Sequence, residues 1–171
     1  MIRGPVIHGS FPRAWIQAAE DVAIARTRSN SGRSEASDRG AAVNLAGDLV
    51  GMIGERIAQE HRPDLGIQSK RLHASGRDAP KTDSPSGIDV KSSPMGRPRV
   101  LVNCRQAAAS SLVGVVVVLV DQDRAAFWMS PVIDSAEILT WPIFDGPYNA
   151  PAHYVMQAAL VARYTPTGIP R

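Results

Sequence analysis

Two charged residues, Asp89 and Lys91, occupy alternate positions of the stretch IDVKSS, next to the apolar residues Ile88 and Val90. Alternation of this kind is typical of a β-strand that packs one face on a core. We therefore expect Ile88 and Val90 to point inwards and the acid and the base to share the other face. A second carboxylate beside them would complete the set of groups that metal-assisted phosphodiester hydrolysis uses.

Two upstream acids could supply that second carboxylate. Asp78 precedes Asp89 by eleven residues and Asp83 precedes it by six. The turn SPSG at 84–87 lies before the strand, and a β-hairpin through it would bring either acid beside Asp89. The spacing alone does not decide which of the two acids lies beside Asp89.

Carboxylate oxygens are hard ligands that suit Mg²⁺, and Mn²⁺ is an alternative. A bound metal polarises a phosphate and lowers the pKa of a coordinated water, while a neighbouring lysine offsets charge that grows on the phosphorus. The competing interpretation is a surface hairpin with a cross-strand ion pair, which contributes roughly 0–1 kcal/mol. The motif D-x-K alone is short enough to occur by chance.

Two helices are predicted ahead of this strand, over 13–26 and 41–60, because apolar residues recur there at helical spacing. The arginine- and serine-rich segment 27–40 is expected to be a loop within the domain, either a solvated linker or an arm that contacts phosphates. The second helix carries Glu55 and three glycines, each costing about 1 kcal/mol against alanine. We expect a neighbouring helix, a ligand or a dimer partner to approach it closely.

A sheet is predicted after the helices. The four consecutive valines of LVGVVVVLV (112–120) are typical of a buried strand. The stretch AAFWMSPV is expected to return antiparallel to it, through a turn at 121–124. Helices followed by a mixed, mostly antiparallel sheet indicate the α/β (α+β) class.

The segments that flank the sheet strands are predicted to contain two short helices and one irregular stretch. The segment 95–111 is expected to become helical from about Asn103, and DSAEILTW (134–141) to form a short helix. The proline-rich stretch 141–155 is expected to be irregular.

The composition indicates one globular domain over residues 1–171. Nineteen basic against sixteen acidic residues give a net charge of +3, which suits a polyanionic partner without requiring one. The single Cys104 excludes an internal disulfide and predicts a cytoplasmic location. The four histidines are scattered, which excludes a Cys/His zinc cluster. No apolar run is long enough to span a bilayer, so no membrane partner is expected.

The acids, the turn and the D-x-K strand resemble the PD-(D/E)XK nuclease superfamily. Its members place an upstream acid before a hairpin that ends in (D/E)-x-K, and many carry a glutamate on the preceding helix. The segments NLAGDLVGMIGERIA, RDAPKTDSPSGIDVKS, the valine strand and NAPAHYVM are also similar in order to those of PvuII-like type II restriction endonucleases.

This resemblance implies a restriction-endonuclease-like mixed β-sheet flanked by helices. It implies Asp78 and Asp89 as Mg²⁺ ligands, Lys91 as the catalytic lysine and Glu55 as the helical acid. It favours Asp78 over Asp83. The second acid is an aspartate where the superfamily more commonly has a glutamate.

In a DNA enzyme, the polar residues of RPRVLVNCRQ are the best candidates for contacting the duplex. They are Arg97, Arg99, Asn103, Arg105 and Gln106. Arginine can pair with guanine, and asparagine or glutamine with adenine, although arginine more often contacts phosphates. His153 and Tyr154 are expected to be packed structural groups.

The resulting prediction is a Mg²⁺-dependent endodeoxyribonuclease of the restriction type that cuts double-stranded DNA as a homodimer. The glycine-containing helix or the arginine-rich loop would form the dimer contact. Three alternatives stay open: a nuclease fold that has lost catalysis and only binds DNA, a repair or mobile-element nuclease, and a small structural protein whose charged hairpin is incidental.

Overall fold

The computed structural model describes residues 4–30, 41–68, 83–145 and 151–165. In chain order its helices are α1 (Ala14–Asn30), α2 (Ala41–His61), α3 (Cys104–Ala107), α4 (Ser135–Ile138) and α5 (Gln157–Tyr164). Its strands are β1 (Ile7–Ser10), β2 (Ile88–Pro94), β3 (Arg99–Asn103), β4 (Gly114–Asp121), β5 (Ala126–Met129), β6 (Ile133–Asp134), β7 (Ile143–Phe144) and β8 (Ala152–Met156). A short 3₁₀ turn, Pro63–Leu65, follows α2.

The valine-rich strand β4 is the centre of the main sheet, whose order is β1-β5-β4-β2. Strand β2 runs parallel to β4, whereas β5 and β6 pair with β4 antiparallel. Every residue of β4 except Asp121 is buried. The predicted valine strand, its antiparallel return and the α+β class are confirmed.

Helices α1 and α2 cover one face of this sheet. Ile53 and Ile57 of α2 belong to the same buried apolar cluster as Ile88 and Val90 of β2. The predicted alternation along β2 is therefore confirmed, and Asp89 and Lys91 face away from the helices.

A second sheet, β3-β8-β7, lies on the opposite side and is antiparallel throughout. Val100 and Val102 of β3 pack into a second apolar cluster with Val115 and Val117 of β4. Asp89 and Lys91 of β2 thus face the layer that contains the second sheet and α3.

The glycine of α2 that is approached closely is Gly54. A Cβ atom at this position would lie 2.7 Å from Cβ of Ser92 in β2, so only glycine lets the helix come this near to the strand. Added Cβ atoms at Gly47 and Gly51 would meet no described atom within 4 Å. The close neighbour at Gly54 is a strand, not the helix that was one of the three expected neighbours.

Two further expectations were wrong. Helix α1 continues to Asn30, so residues 27–30 are not loop, while 31–40 lie outside the described residues. The stretch 141–155 contains β7 and most of β8.

The helix expected from about Asn103 is confirmed as α3, with Asn103 as its N-cap. Strand β3 precedes it and was not predicted. Its pairing with β8, which is far away in sequence, overrides the local propensity.

No helix within the described ranges has the length and apolar character needed to cross a membrane.

Candidate functional site

A tight turn delivers Asp83 to the start of β2. The turn is closed by hydrogen bonds from Ser84 N to Ile88 O, 2.9 Å, and from Gly87 N to Ser84 O, 3.0 Å. Gly87 has φ +81°, and a Cβ there would lie 2.5 Å from the carbonyl oxygen of Ser111. The glycine is therefore required both by its backbone conformation and by the close packing of the turn.

The side chains of Asp83 and Asp89 meet in the interior. Asp83 is 3% exposed and Asp89 is 1% exposed. Oδ2 of Asp83 accepts a hydrogen bond of 2.7 Å from the backbone N–H of Val90, and the carboxyl group of Asp83 lies close enough to that of Asp89 to raise its pKa. The turn thus brings two acids that are six residues apart together as a buried carboxyl pair.

The environment of this pair disfavours a second negative charge. Burial raises the pKa of Asp89, and the adjacent charge and hydrogen bond of Asp83 raise the pKa further, whereas the positive charge of Lys91 opposes the rise. Carboxyl groups held in this way are characteristic of sites that bind cations or move protons.

Lys91 and Gln106 both donate to the same oxygen of Asp89. Nζ of Lys91 lies 2.7 Å from Oδ2 of Asp89, and Nε2 of Gln106 lies 2.7 Å from that atom. The Lys91 side chain is 25% exposed against 2% for Asp89. The partly exposed ammonium group of Lys91 therefore lies between solvent and the buried carboxylate of Asp89.

The short helix α3 places Gln106. The side chain of Asn103 accepts a hydrogen bond of 2.9 Å from Arg105 N and so caps the first turn. Ala107 is buried beneath the turn. With its backbone held on both sides, Gln106 reaches Asp89 across seventeen residues of sequence.

A cleft of about 560 Å³ opens beside the turn. It is lined by residues 83–87 together with Gln68, Ser111 and Val113. Asp83 and three serines are among the residues that line the cleft, so the cleft reaches one member of the acid pair.

The predicted site residues have different outcomes. Asp89 and Lys91 lie together as expected, and Asp83 is the described upstream acid that joins them. Asp78 lies outside the described residues. Glu55 is half-buried on α2, the helix that packs against the apolar face of β2.

Among the residues that the structure describes, no three acidic, histidine or cysteine side chains form a metal-binding group. Glu55 is therefore not brought to Asp83 and Asp89 within that part of the chain. The two aspartates nevertheless suit a small hard cation, because Mg²⁺ is commonly held by one or two carboxylates, with waters and substrate oxygens as its other ligands.

The candidates for DNA contact separate into two kinds. Arg97 and Arg105 are exposed. The guanidinium of Arg99 lies over the rings of Phe144 and Tyr154, 4.7 and 5.3 Å from their centroids.

The two polar uncharged candidates have partners within the protein. The side chain of Asn103 caps α3, and that of Gln106 binds Asp89. His153 is buried, with Nδ1 2.9 Å from the carbonyl oxygen of Trp141, and its predicted structural role is confirmed.

Sequence reasoning did not find the contact of Gln106 with Asp89. Gln106 was singled out as a polar residue that could read a base, and no spacing rule connects it with β2. The short distance from Asp83 to the strand was a usable signal, since a four-residue turn with glycine at its end directs the preceding residue back onto the strand.

No family model matches this chain, and neither a curated protein nor a solved structure does so. The resemblance to PD-(D/E)XK nucleases consequently depends on the residues of the site and on their order in the chain.

Proposed function

We propose that this protein is a metal-dependent endonuclease of the PD-(D/E)XK type that hydrolyses phosphodiester bonds in double-stranded DNA. The observation that carries the proposal is the buried contact of Asp83 with Asp89, with Lys91 Nζ 2.7 Å from Asp89 Oδ2. The mixed sheet between a helix pair and a second layer agrees with the fold that the resemblance implies.

Asp83 and Asp89 would hold Mg²⁺ or Mn²⁺. Both are hard oxygen ligands. Burial, and after it the charge of Asp83, raises the pKa of Asp89, and a divalent cation beside the two carboxyl groups would favour their charged forms. When bound, the ion would polarise the scissile phosphate and lower the pKa of a coordinated water.

Lys91 would act on the substrate. Its side chain is 25% exposed against 2% for that of Asp89, so a phosphate oxygen can replace the Asp89 oxygen as its partner. A cation positioned there stabilises negative charge that develops during displacement.

Arg97 and Arg105 would contact the backbone of the duplex. Both are exposed, and arginine–phosphate contacts position a protein on DNA without reading its sequence. Two copies related by a two-fold axis would present two sites to the two strands, as the predicted homodimer requires.

Cleavage of supercoiled plasmid tests the proposal. We expect nicked and linear products with Mg²⁺ or Mn²⁺ and none with EDTA. Asp89→Asn should abolish the products, whereas Asp123→Asn, the same chemical change at an exposed turn residue, should leave them unchanged. Discrete bands would indicate a site-specific enzyme, and a smear would indicate a repair or mobile-element type of nuclease.

The other outcomes are equally readable. If wild type and Asp89→Asn both shift DNA with equal affinity and neither cuts it with metal, the protein is a binding module and the nuclease proposal is wrong. If neither binds DNA in a salt-dependent manner, the charged cluster belongs to a structural protein.

A pair of variants decides which upstream acid holds the metal. We expect Asp83→Asn to remove metal-dependent cleavage, because Asp83 contacts Asp89. If Asp78→Asn removes it and Asp83→Asn does not, Asp78 is the ligand, as the resemblance implied.

A further inference from the structure

Oδ2 of Asp89 has two donors of different charge. Lys91 approaches it with an ammonium group and Gln106 with a neutral amide, each at 2.7 Å. The amide comes from a capped helical turn whose next residue, Ala107, is 2% exposed. The backbone of Gln106 is thus held by the cap on one side and by the buried Ala107 on the other.

A lysine that serves the substrate must leave or share Asp89. Moving the ammonium group to a phosphate would remove the counter-charge from a carboxylate that is 1% exposed and lies against Asp83. A buried ion that loses its partner is strongly destabilised. The proposed metal ion would supply a counter-charge at that moment, and a second donor that stays in place would keep the Asp89 carboxylate oriented towards it.

Gln106 meets this need without cancelling charge. Its amide hydrogen-bonds the carboxylate, and hydrogen bonds to charged groups contribute about 1.5–3 kcal/mol. Being neutral, it leaves the acid pair its negative charge for a cation. A second lysine or arginine at this position would compete with the metal instead.

We propose that Gln106 is a positioning residue that holds Oδ2 of Asp89, so that Lys91 can move from Asp89 to a substrate phosphate while the carboxylate stays oriented towards a metal ion. This inference rests on the proposed nuclease function. It assigns to Gln106 a partner inside the site, in place of the DNA base expected from the sequence.

The test is the Mn²⁺ affinity of the DNA-free protein, measured by electron paramagnetic resonance of the free ion. Gln106→Met keeps an unbranched side chain of similar length and removes the donor. We expect it to weaken Mn²⁺ binding by about 10–100-fold, the usual effect of losing a partner of a metal ligand. Gln106→Ala removes the same donor without a thioether and should give the same loss.

Gln157→Met is the matched control. Gln157 is also buried and hydrogen-bonded to β2, through Ser93 and Pro94, but it does not touch the acids. We expect this variant to lose thermal stability and to keep wild-type Mn²⁺ affinity. A loss of affinity equal to that of Gln106→Met would mean a general loosening of β2 and would overturn the inference.

Plasmid cleavage separates the two levels of failure. If the wild type binds Mn²⁺ and cuts DNA while Gln106→Met and Gln106→Ala match it in both, the inference alone is wrong. A wild type that neither binds Mn²⁺ nor cuts removes the proposed function, and the role of Gln106 with it.

Discussion

Strand β2 has a glutamine partner near each end of its polar face, and the two glutamines differ in what they hold. Near the far end, Gln157 donates to Ser93 Oγ and Pro94 O, both at 3.0 Å, and accepts from Gly96 N at 3.1 Å. Near the beginning, Gln106 donates to a carboxylate that Lys91 also binds. One end is a neutral, fully paired network, and the other concentrates charge in the interior.

This difference in charge indicates a separate role for each end of β2. Neutral hydrogen bonds fix the turn between β2 and β3 and add to stability. A buried carboxyl pair costs free energy, and such groups are retained mainly where a site uses them. Five substitutions test this division, and they are given from the largest expected effect to the smallest.

Lys91→Met should have the largest effect. If Lys91 stabilises charge on the phosphate, cleavage should fall by about 10²–10³-fold, which corresponds to roughly 3–4 kcal/mol of transition-state stabilisation. The melting temperature should fall as well, because Asp89, which is 1% exposed, loses its counter-charge, so cleavage is compared per folded molecule. Full activity in this variant would show that the charged end of β2 has no catalytic use.

Gln157→Leu should act in the opposite sense, on stability. It leaves the backbone N–H of Gly96 and the carbonyl of Pro94 without these partners, at a cost of about 1–3 kcal/mol. Urea denaturation measures the loss. Cleavage per folded molecule should stay near the wild-type value, and a large fall in it would mean that the two ends are not separable.

Asp89→Asn should make the protein more stable at neutral pH. The pKa of Asp89 is raised in the folded protein, mainly by burial and also by Asp83. The folded state therefore binds this proton more tightly than the unfolded chain. The stability that Asp89 contributes is complete below the unfolded pKa of about 4 and is lost as the pH rises through the folded pKa.

Asparagine cannot ionise, so this variant avoids the loss. Melting temperatures should show Asp89→Asn above wild type near neutral pH, with the gap closing below about pH 4. Asp123→Asn, an exposed control, should show no such gap. An equal or lower stability of Asp89→Asn at neutral pH would contradict the electrostatic interpretation of this end.

The smallest effect is expected from Arg97→Gln and Arg105→Gln. Each should weaken DNA binding modestly and reduce the salt dependence of the binding constant by about one ion, as for a lost phosphate contact. Arg124→Gln, at the exposed β4–β5 turn, is the control. A loss confined to one DNA sequence would instead indicate base contact.

Sequence periodicity predicted the parts of this fold whose contacts follow the chain. Helix α2, the valine strand and the alternation along β2 each follow from spacing within a few residues. Strand β3 was missed because the arginines and prolines just before Val100 suggested irregular chain and obscured Val100 and Val102, which are buried against β4. Pro142 and Pro151 suggested irregular chain but stand at strand ends, where proline is tolerated.

For the site as well, only the contacts between residues that are close in sequence were predictable. Asp89 and Lys91 lie on one strand, so their shared face follows from alternation alone. The partner Gln106 comes from another element, and its contact depends on where the second sheet places α3. Which acid precedes β2 was left open by spacing, and the turn geometry brings Asp83 to Asp89.

The contact between Gly54 and Ser92 has a consequence on the other side of the sheet. A strand that slips by one residue reverses both of its faces: Asp89 and Lys91 would enter the helix layer, and Ile88 and Val90 would take their places. Ser92 is the position at which β2 meets the one glycine that admits it. The register of β2, and with it the position of Asp89 and Lys91, is thus fixed on the opposite face of the strand, by the absence of a Cβ atom at Gly54.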